Sequence, residues 1–243
     1  MICTVNYVSK SLDKAIGMNV LVPAGKGPFP VLYLLHGLSD DHTGWMRLSM
    51  VECKAADLPL IIVMPDGGRS FYCNDPRPGG LAYEDHIWQA TVQTVDNTFD
   101  TIADRRSRAI AGLSMGGYGA MMLAMRHPDV FSVACSHSGA LGFAARRFPG
   151  RPALDAYVRA LPKDKYNLYR LATAMAKAKQ KIAIRMDCGE TDFLIEDNRL
   201  FHKHLEKLGI AHQYEEFPGE HTWEYWNAHI RQTLDFVMAH VKT

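Results

Sequence analysis

The sequence predicts an α/β fold: a doubly wound, mostly parallel sheet led by an antiparallel hairpin. Two observations carry this. Short apolar runs alternate with segments of helical period along the chain, and the central runs are apolar at consecutive positions, as strands covered on both faces are. At 243 residues the chain suits a single well-buried domain over 1–243. With 27 basic against 26 acidic residues, it offers no overall attraction for nucleic acid or an anionic membrane.

The elements follow in order. Residues 4–8 and 18–22 alternate around a polar, Gly-containing stretch and read as the hairpin. After a Pro/Gly stretch at 23–30, the runs at 31–35 and 60–64 read as central strands, with a helix over 43–56 between them. Residues 81–100 carry a helical pattern through Ile87, Ala90, Thr91, Val95 and Phe99, and the acids Glu84 and Asp85 are expected to start that helix. A strand at 108–111 and a helix at 118–126 follow. Further strands are expected at 130–136, 181–186 and 213–217, and further helices at 198–208 and 223–241.

Residues 142–181 interrupt the alternation with Pro149, Pro152 and Pro162 and hold ten basic residues against Asp155 and Asp164. This basic insertion is expected near the carboxyl edge of the sheet, where ligands bind in such folds. It reads first as a solvated surface of short helices and second as a small lid that attracts anions. The N-terminus lacks a basic, then apolar, export pattern, and no apolar run reaches membrane-spanning length, so a cytoplasmic location is expected. Cys3, Cys53, Cys73, Cys135 and Cys188 are odd in number and form no C-x-x-C pair, which points to neither a disulfide framework nor a zinc site.

The chemistry concentrates at Gly112-Leu113-Ser114-Met115-Gly116-Gly117, between an expected strand and an expected helix. In G-x-S-x-G the serine occupies a tight strand-to-helix turn that exposes its hydroxyl above the sheet. A phosphate-binding turn fits less well: no Lys-Ser or Lys-Thr pair follows the glycines, and G-x-G-x-x-G is not satisfied. A serine hydroxyl needs a base, and the base an orienting acid, here expected in the chain order Ser, acid, His. His221 follows the strand at 213–217, whereas His127, His202, His204, His212, His229 and His240 lie in helices or at element boundaries, and His137 follows a strand out of order. Asp192 leads for the acid, with Asp187, Glu190, Glu196 and Asp197 close by. Met115 N–H and Leu38 N–H, the latter in the loop His36-Gly37-Leu38-Ser39, are the expected oxyanion donors. Trp45, Phe71, Tyr72, Trp223 and Trp226 could limit an acyl pocket to short chains, Trp45 and Trp223 being the leading substrate contacts; core packing is the competing role, favoured for Trp226.

Leu35-His36-Gly37-Leu38, Gly112 through Ala120, Gly189-x-x-Asp192-Phe193-Leu194 and Gly219-x-His221-x-Trp223-x-x-Trp226 occur in this order. Together they resemble the esterase D-like family of α/β-hydrolases, in particular its tributyrin esterase branch. The resemblance implies Ser114 as nucleophile, Asp192 as acid, His221 as base and oxyanion donors at Leu38 and Met115. It implies a short-chain carboxylesterase with no cofactor and no metal, acting on a small-molecule ester, with self-association left open. Carbohydrate acyl esterases and S-formylglutathione hydrolases are relatives, but the latter have Gly-His-Ser-Met-Gly-Gly-His-Gly where this chain has Gly112-Leu113-Ser114-Met115-Gly116-Gly117-Tyr118-Gly119. A catalytically silent scaffold is the non-enzyme alternative; such proteins usually lack a triad residue.

Overall fold

A computed structural model describes residues 1–243. Eight strands form one sheet: β1 (Ile2–Ser9), β2 (Lys14–Leu21), β3 (Val31–Leu35), β4 (Ile61–Pro65), β5 (Arg108–Leu113), β6 (Val133–His137), β7 (Ala183–Gly189) and β8 (Gln213–Phe217). Their spatial order is β1-β2-β4-β3-β5-β6-β7-β8. The β1–β2 and β2–β4 pairs are antiparallel and the remaining pairs parallel, so the carboxyl ends of β3 through β8 share one edge.

Period-two geometry divides each central strand between two cores. Val31, Tyr33 and Leu35 face a cluster of 41 buried residues, and Leu32 and Leu34 face one of 20. Every residue of β3, β4, β5 and β6 is buried, which explains the unbroken apolar runs of β3 and β4. β8 closes one side with exposed Gln213 and Glu215 and partly exposed Glu216, and charge at a sheet edge discourages pairing with another chain.

The helices are α1 (Gly44–Leu48), α2 (Val51–Ala55), α3 (Tyr83–Asp85), α4 (Val92–Thr98), α5 (Met115–Arg126), α6 (Pro152–Ala160), α7 (Lys163–Tyr166), α8 (Leu168–Lys177), α9 (Ile195–Lys207) and α10 (Trp223–His240). α5 is buried from Met115 through Met125, which accounts for its Ala/Met/Leu content. α10 and α2 cover the opposite face, through Trp226, Ile230, Leu234 and Val237 against Val51 and Ala55.

Several expected elements are redrawn. The helix expected over 43–56 is two helices, because Ser49 is extended and its hydroxyl bonds back to the Trp45 carbonyl at 2.6 Å. The helix over 81–100 contains a π turn at His86–Thr91, where the Thr91 hydroxyl donates to the His86 carbonyl at 2.9 Å and meets the Tyr7 hydroxyl at 2.7 Å. The strand expected from 130 starts at Val133, since Val130 and Phe131 still bond back to the His127 carbonyl.

Glu84 does more than start a helix. It is 1% exposed and accepts from Arg126 at 2.5 Å, from Tyr166 at 2.7 Å and from His127 at 2.8 Å, joining α3, α5 and α7. Burial works against its charged form, but these donors outweigh it and hold its pKa below the ordinary 4.5.

The basic insertion is tied into the main core through Phe143, Tyr157, Val158, Leu168, Leu171 and Met175, so it is more than solvated surface. Two of its arginines are paired, Arg147 forked onto Asp155 and Arg146 onto the buried Asp197 of α9.

Candidate active site

β5 ends at Leu113 and α5 begins at Met115, leaving Ser114 alone in the turn with φ 54° and ψ −113°. A non-glycine residue there is strained by about 1–3 kcal/mol and persists only when its surroundings hold it. They do: Ser114 N–H donates to the His137 carbonyl at 2.9 Å, and the Ser114 carbonyl accepts from Ala140 at 3.0 Å and Tyr118 at 3.1 Å. The turn is tight enough to require the flanking glycines. A Cβ on Gly112 would lie 2.5 Å from Gly116 backbone, and one on Gly116 would lie 2.5 Å from the Leu35 carbonyl oxygen.

The loops after β7 and β8 bring the other two side chains to this hydroxyl. Ser114 Oγ lies 3.0 Å from His221 Nε2, and His221 Nδ1 lies 2.8 Å from Asp192 Oδ2. The second Asp192 oxygen accepts from Leu194 N–H at 2.8 Å. Burial alone would raise the Asp192 pKa, but the bonds from His221 and Leu194 outweigh it and hold the carboxyl below the ordinary 3.8, ionised at neutral pH. The two loops are stitched together, since Thr191 N–H and hydroxyl both donate to the Gly219 carbonyl, at 3.1 and 2.8 Å.

The remaining acids fall elsewhere. Asp187 is fully buried and takes His137 Nδ1 at 2.9 Å, Tyr225 hydroxyl at 3.1 Å and Arg185; Asp197 takes Arg146, and Glu196 takes Arg199 at 2.7 Å.

The loop after β3 lies against the serine, where a Cβ on Gly37 would come 3.7 Å from Ser114 Cβ. Leu38 is the next residue of that loop, and Met115 opens α5 directly after Ser114. His36 is 1% exposed; its Nδ1–H donates to the Gly37 carbonyl at 2.7 Å and its Nε2 accepts Gly67 N–H at 2.8 Å. The Gly37 carbonyl and Leu38 N–H share one planar peptide, so the bond that holds the carbonyl also sets the direction of the N–H. Tyr72 hydroxyl clamps the same loop through the His36 carbonyl at 3.0 Å.

The aromatic residues divide. Trp45, expected to touch substrate, is 1% exposed, donates Nε1–H to the Leu35 carbonyl at 3.1 Å and packs edge-on against Trp223 at 5.3 Å. It supports the site from beneath, because the indole anchors β3 instead of facing the loops. Trp223 is partly exposed, and buried Trp226 sets its face at 90° to the His221 ring, 4.9 Å away. Phe71 and Tyr72 are buried, Phe71 stacking on Phe143 at 3.5 Å. Sequence reasoning assigned no role to Phe193, which is 75% exposed with its ring 4.4 Å from that of His221. Its place beside Asp192 and its apolar character in a polar loop were the available signals.

A strained serine between strand and helix, with a His–Asp pair from the two following strand ends, on this strand order, defines an α/β-hydrolase of the serine ester-hydrolase class. The chain belongs to the putative esterase family, whose profile matches residues 9–237. It is 25% identical to an acetyl esterase of Caldicellulosiruptor saccharolyticus, over 97% of both chains. Among solved structures it matches an S-formylglutathione hydrolase of Staphylococcus aureus at 25% identity and TM-score 0.86, covering 98% of each chain. It also matches the fluorophosphonate-binding serine hydrolase F of Staphylococcus aureus at 28% identity and TM-score 0.85, again over 98% of each. No helix is long and apolar enough to cross a membrane.

Proposed function

We propose that the protein is a serine carboxylesterase that hydrolyses short-chain acyl esters through an acyl-enzyme. The observation that carries this is the continuous relay from Asp192 through His221 to Ser114, at 2.8 and 3.0 Å, on a serine that remains partly exposed. Ser114 Oγ attacks the ester carbonyl carbon while His221 Nε2 takes its proton. Asp192 keeps the Nδ1–H tautomer and stabilises the imidazolium that forms. The carbonyl oxygen becomes an oxyanion, for which Leu38 and Met115 N–H are the donors, with His36 holding the Gly37–Leu38 peptide as a positioning residue. Collapse expels the alcohol, which leaves with the proton from His221. Water then enters, gives a proton to His221 and attacks the acyl carbon, and Ser114 recovers its proton as the carboxylic acid departs. The chain's similarity to an acetyl esterase and to a fluorophosphonate-binding serine hydrolase supports this chemistry.

The test is hydrolysis of 4-nitrophenyl esters from acetate to palmitate by the native protein and Ser114→Ala. Preference for acetate to butyrate, absent in the variant, is the expected result. Absence of turnover on every chain length by folded native protein would overturn the proposal.

A further inference from the structure

A cavity of about 830 Å³ opens beside Leu38, and its position and charge restrict what it can receive. Its walls include Tyr83, Tyr157 and three arginines, Arg69, Arg77 and Arg151. Ser114 itself is not in the lining; the cavity reaches the catalytic group only through Leu38. No residue of the Asp192 or His221 loops contributes either. The leaving alcohol must sit within hydrogen-bond reach of His221 Nε2 to receive its proton. With no wall from the His221 loop, the cavity is not where the leaving alcohol receives its proton, so of the two halves of an ester it suits the acyl part.

The charge is unbalanced. Asp75 is the only acid in the walls, and Arg77 already neutralises it, forking onto the carboxylate through Nε at 2.8 Å and Nη2 at 2.6 Å while its guanidinium lies 5.1 Å from the centre of the Tyr157 ring. Arg69 donates one N–H to Ser39 Oγ at 2.8 Å and has no carboxylate partner. Arg151, at the start of α6 in the basic insertion, has none either. Two arginines without a carboxylate partner thus line the rim of an otherwise largely apolar cavity. A planar carboxylate matches a guanidinium fork in shape and charge, and tyrosine and leucine walls suit a methylene stem.

Building on the esterase reading above, we infer that the cavity selects acyl groups carrying a distal carboxylate, so that the favoured substrates are monoesters of dicarboxylic acids. Arg151 and Arg69 receive the free carboxylate, and Ser114 attacks the ester at the other end. No step of the hydrolysis changes. The insertion supplies specificity through Arg151 and apolar wall through Leu154 and Tyr157.

The experiment compares kcat/KM for the 4-nitrophenyl monoester of adipic acid with that for 4-nitrophenyl hexanoate, which share leaving group and acyl length. A ratio of about 10 to 100 in favour of the adipate at low ionic strength is expected, the order that a charge-assisted hydrogen bond contributes. The ratio should fall as salt is raised. Arg151→Gln should bring it toward one, Arg151→Glu should bring it below one, and Arg159→Gln, on the same helix but outside the cavity, should leave it unchanged.

Equal rates on adipate and hexanoate, with both cleaved, would overturn this inference while leaving the esterase reading intact. A ratio insensitive to Arg151→Gln, or a carboxylate preference confined to the alcohol side as in 4-carboxyphenyl hexanoate, would overturn it as well. Cleavage of neither ester would reject the esterase reading first, and this inference with it.

Discussion

Two imidazole–carboxylate pairs of the same chemistry lie at the same edge of the sheet. Asp192 meets His221 at 2.8 Å and Asp187 meets His137 at 2.9 Å, each through Nδ1. What separates them is the far nitrogen. His221 Nε2 faces Ser114, whereas His137 Nε2 meets the Thr233 hydroxyl at 3.0 Å, with both members of that pair fully buried. Asp187 is also held by Arg185 and by Tyr225 of α10, so its pair braces β6, β7 and α10 together. The His137 carbonyl in turn holds Ser114 N–H. A His–Asp pair can serve as a base only where its open nitrogen reaches an exposed hydroxyl; sealed from solvent, the same pair is a brace.

The largest expected contrast is in activity. Ser114→Ala and His221→Ala should each lower kcat by roughly 10⁴-fold or more, and Asp192→Asn by about 10³- to 10⁴-fold, with thermal midpoints little changed. Steady-state kinetics beside differential scanning calorimetry would show this. Swapping the pairs inverts the pattern. His137→Ala leaves Asp187 and Arg185 buried around a hole and should cost about 3–5 kcal/mol of stability, read by urea denaturation. Its kcat per folded molecule should stay within about tenfold of native, since it touches no reacting atom and acts only through the Ser114 turn. Loss of activity without loss of stability in His137→Ala would break the comparison.

Acid denaturation sharpens it. Burial would raise the Asp187 pKa, but His137 and Arg185 more than offset this and lower it below the ordinary 3.8. A depressed carboxylate pKa contributes stability that is present above the unfolded value and is lost as pH falls through the folded one. Native stability should therefore decline below about pH 4, and Asp187→Asn should be less stable at neutral pH yet show a shallower decline in acid, as read from urea midpoints across pH. The smallest effect is expected at the loop after β3. Tyr72→Phe removes the bond to the His36 carbonyl and should lower kcat about fivefold, corresponding to roughly 1 kcal/mol, with KM nearly constant.

Legibility in the sequence followed the range of the forces involved. The order of strands and helices was readable because each element carries its own periodicity, and Ser114 was readable because the turn needs Gly112 and Gly116 beside it. Boundaries set by one side-chain bond, such as the break at Ser49 and the π turn closed by Thr91, were not. Trp45 had the composition of a pocket residue; only its hydrogen bond to Leu35 shows that it faces inward. Glu84 gave no sign of its partners, because Arg126, His127 and Tyr166 arrive from segments 42 to 82 residues away.

By itself the sequence determined the fold class, the strained serine and the edge at which a base and an acid must stand, since these rest on local backbone geometry and hydrophobic period. Only the tertiary structure decided which carboxylate meets which histidine. Asp187 and Asp192 are five residues apart, and their separate fates depend on what β6, β8 and α10 bring beside them across the sheet. It also decided that Arg69, Arg77 and Arg151, drawn from two distant segments, stand around one cavity. Distances through space between remote residues are set by packing of the whole chain, and no local pattern records them.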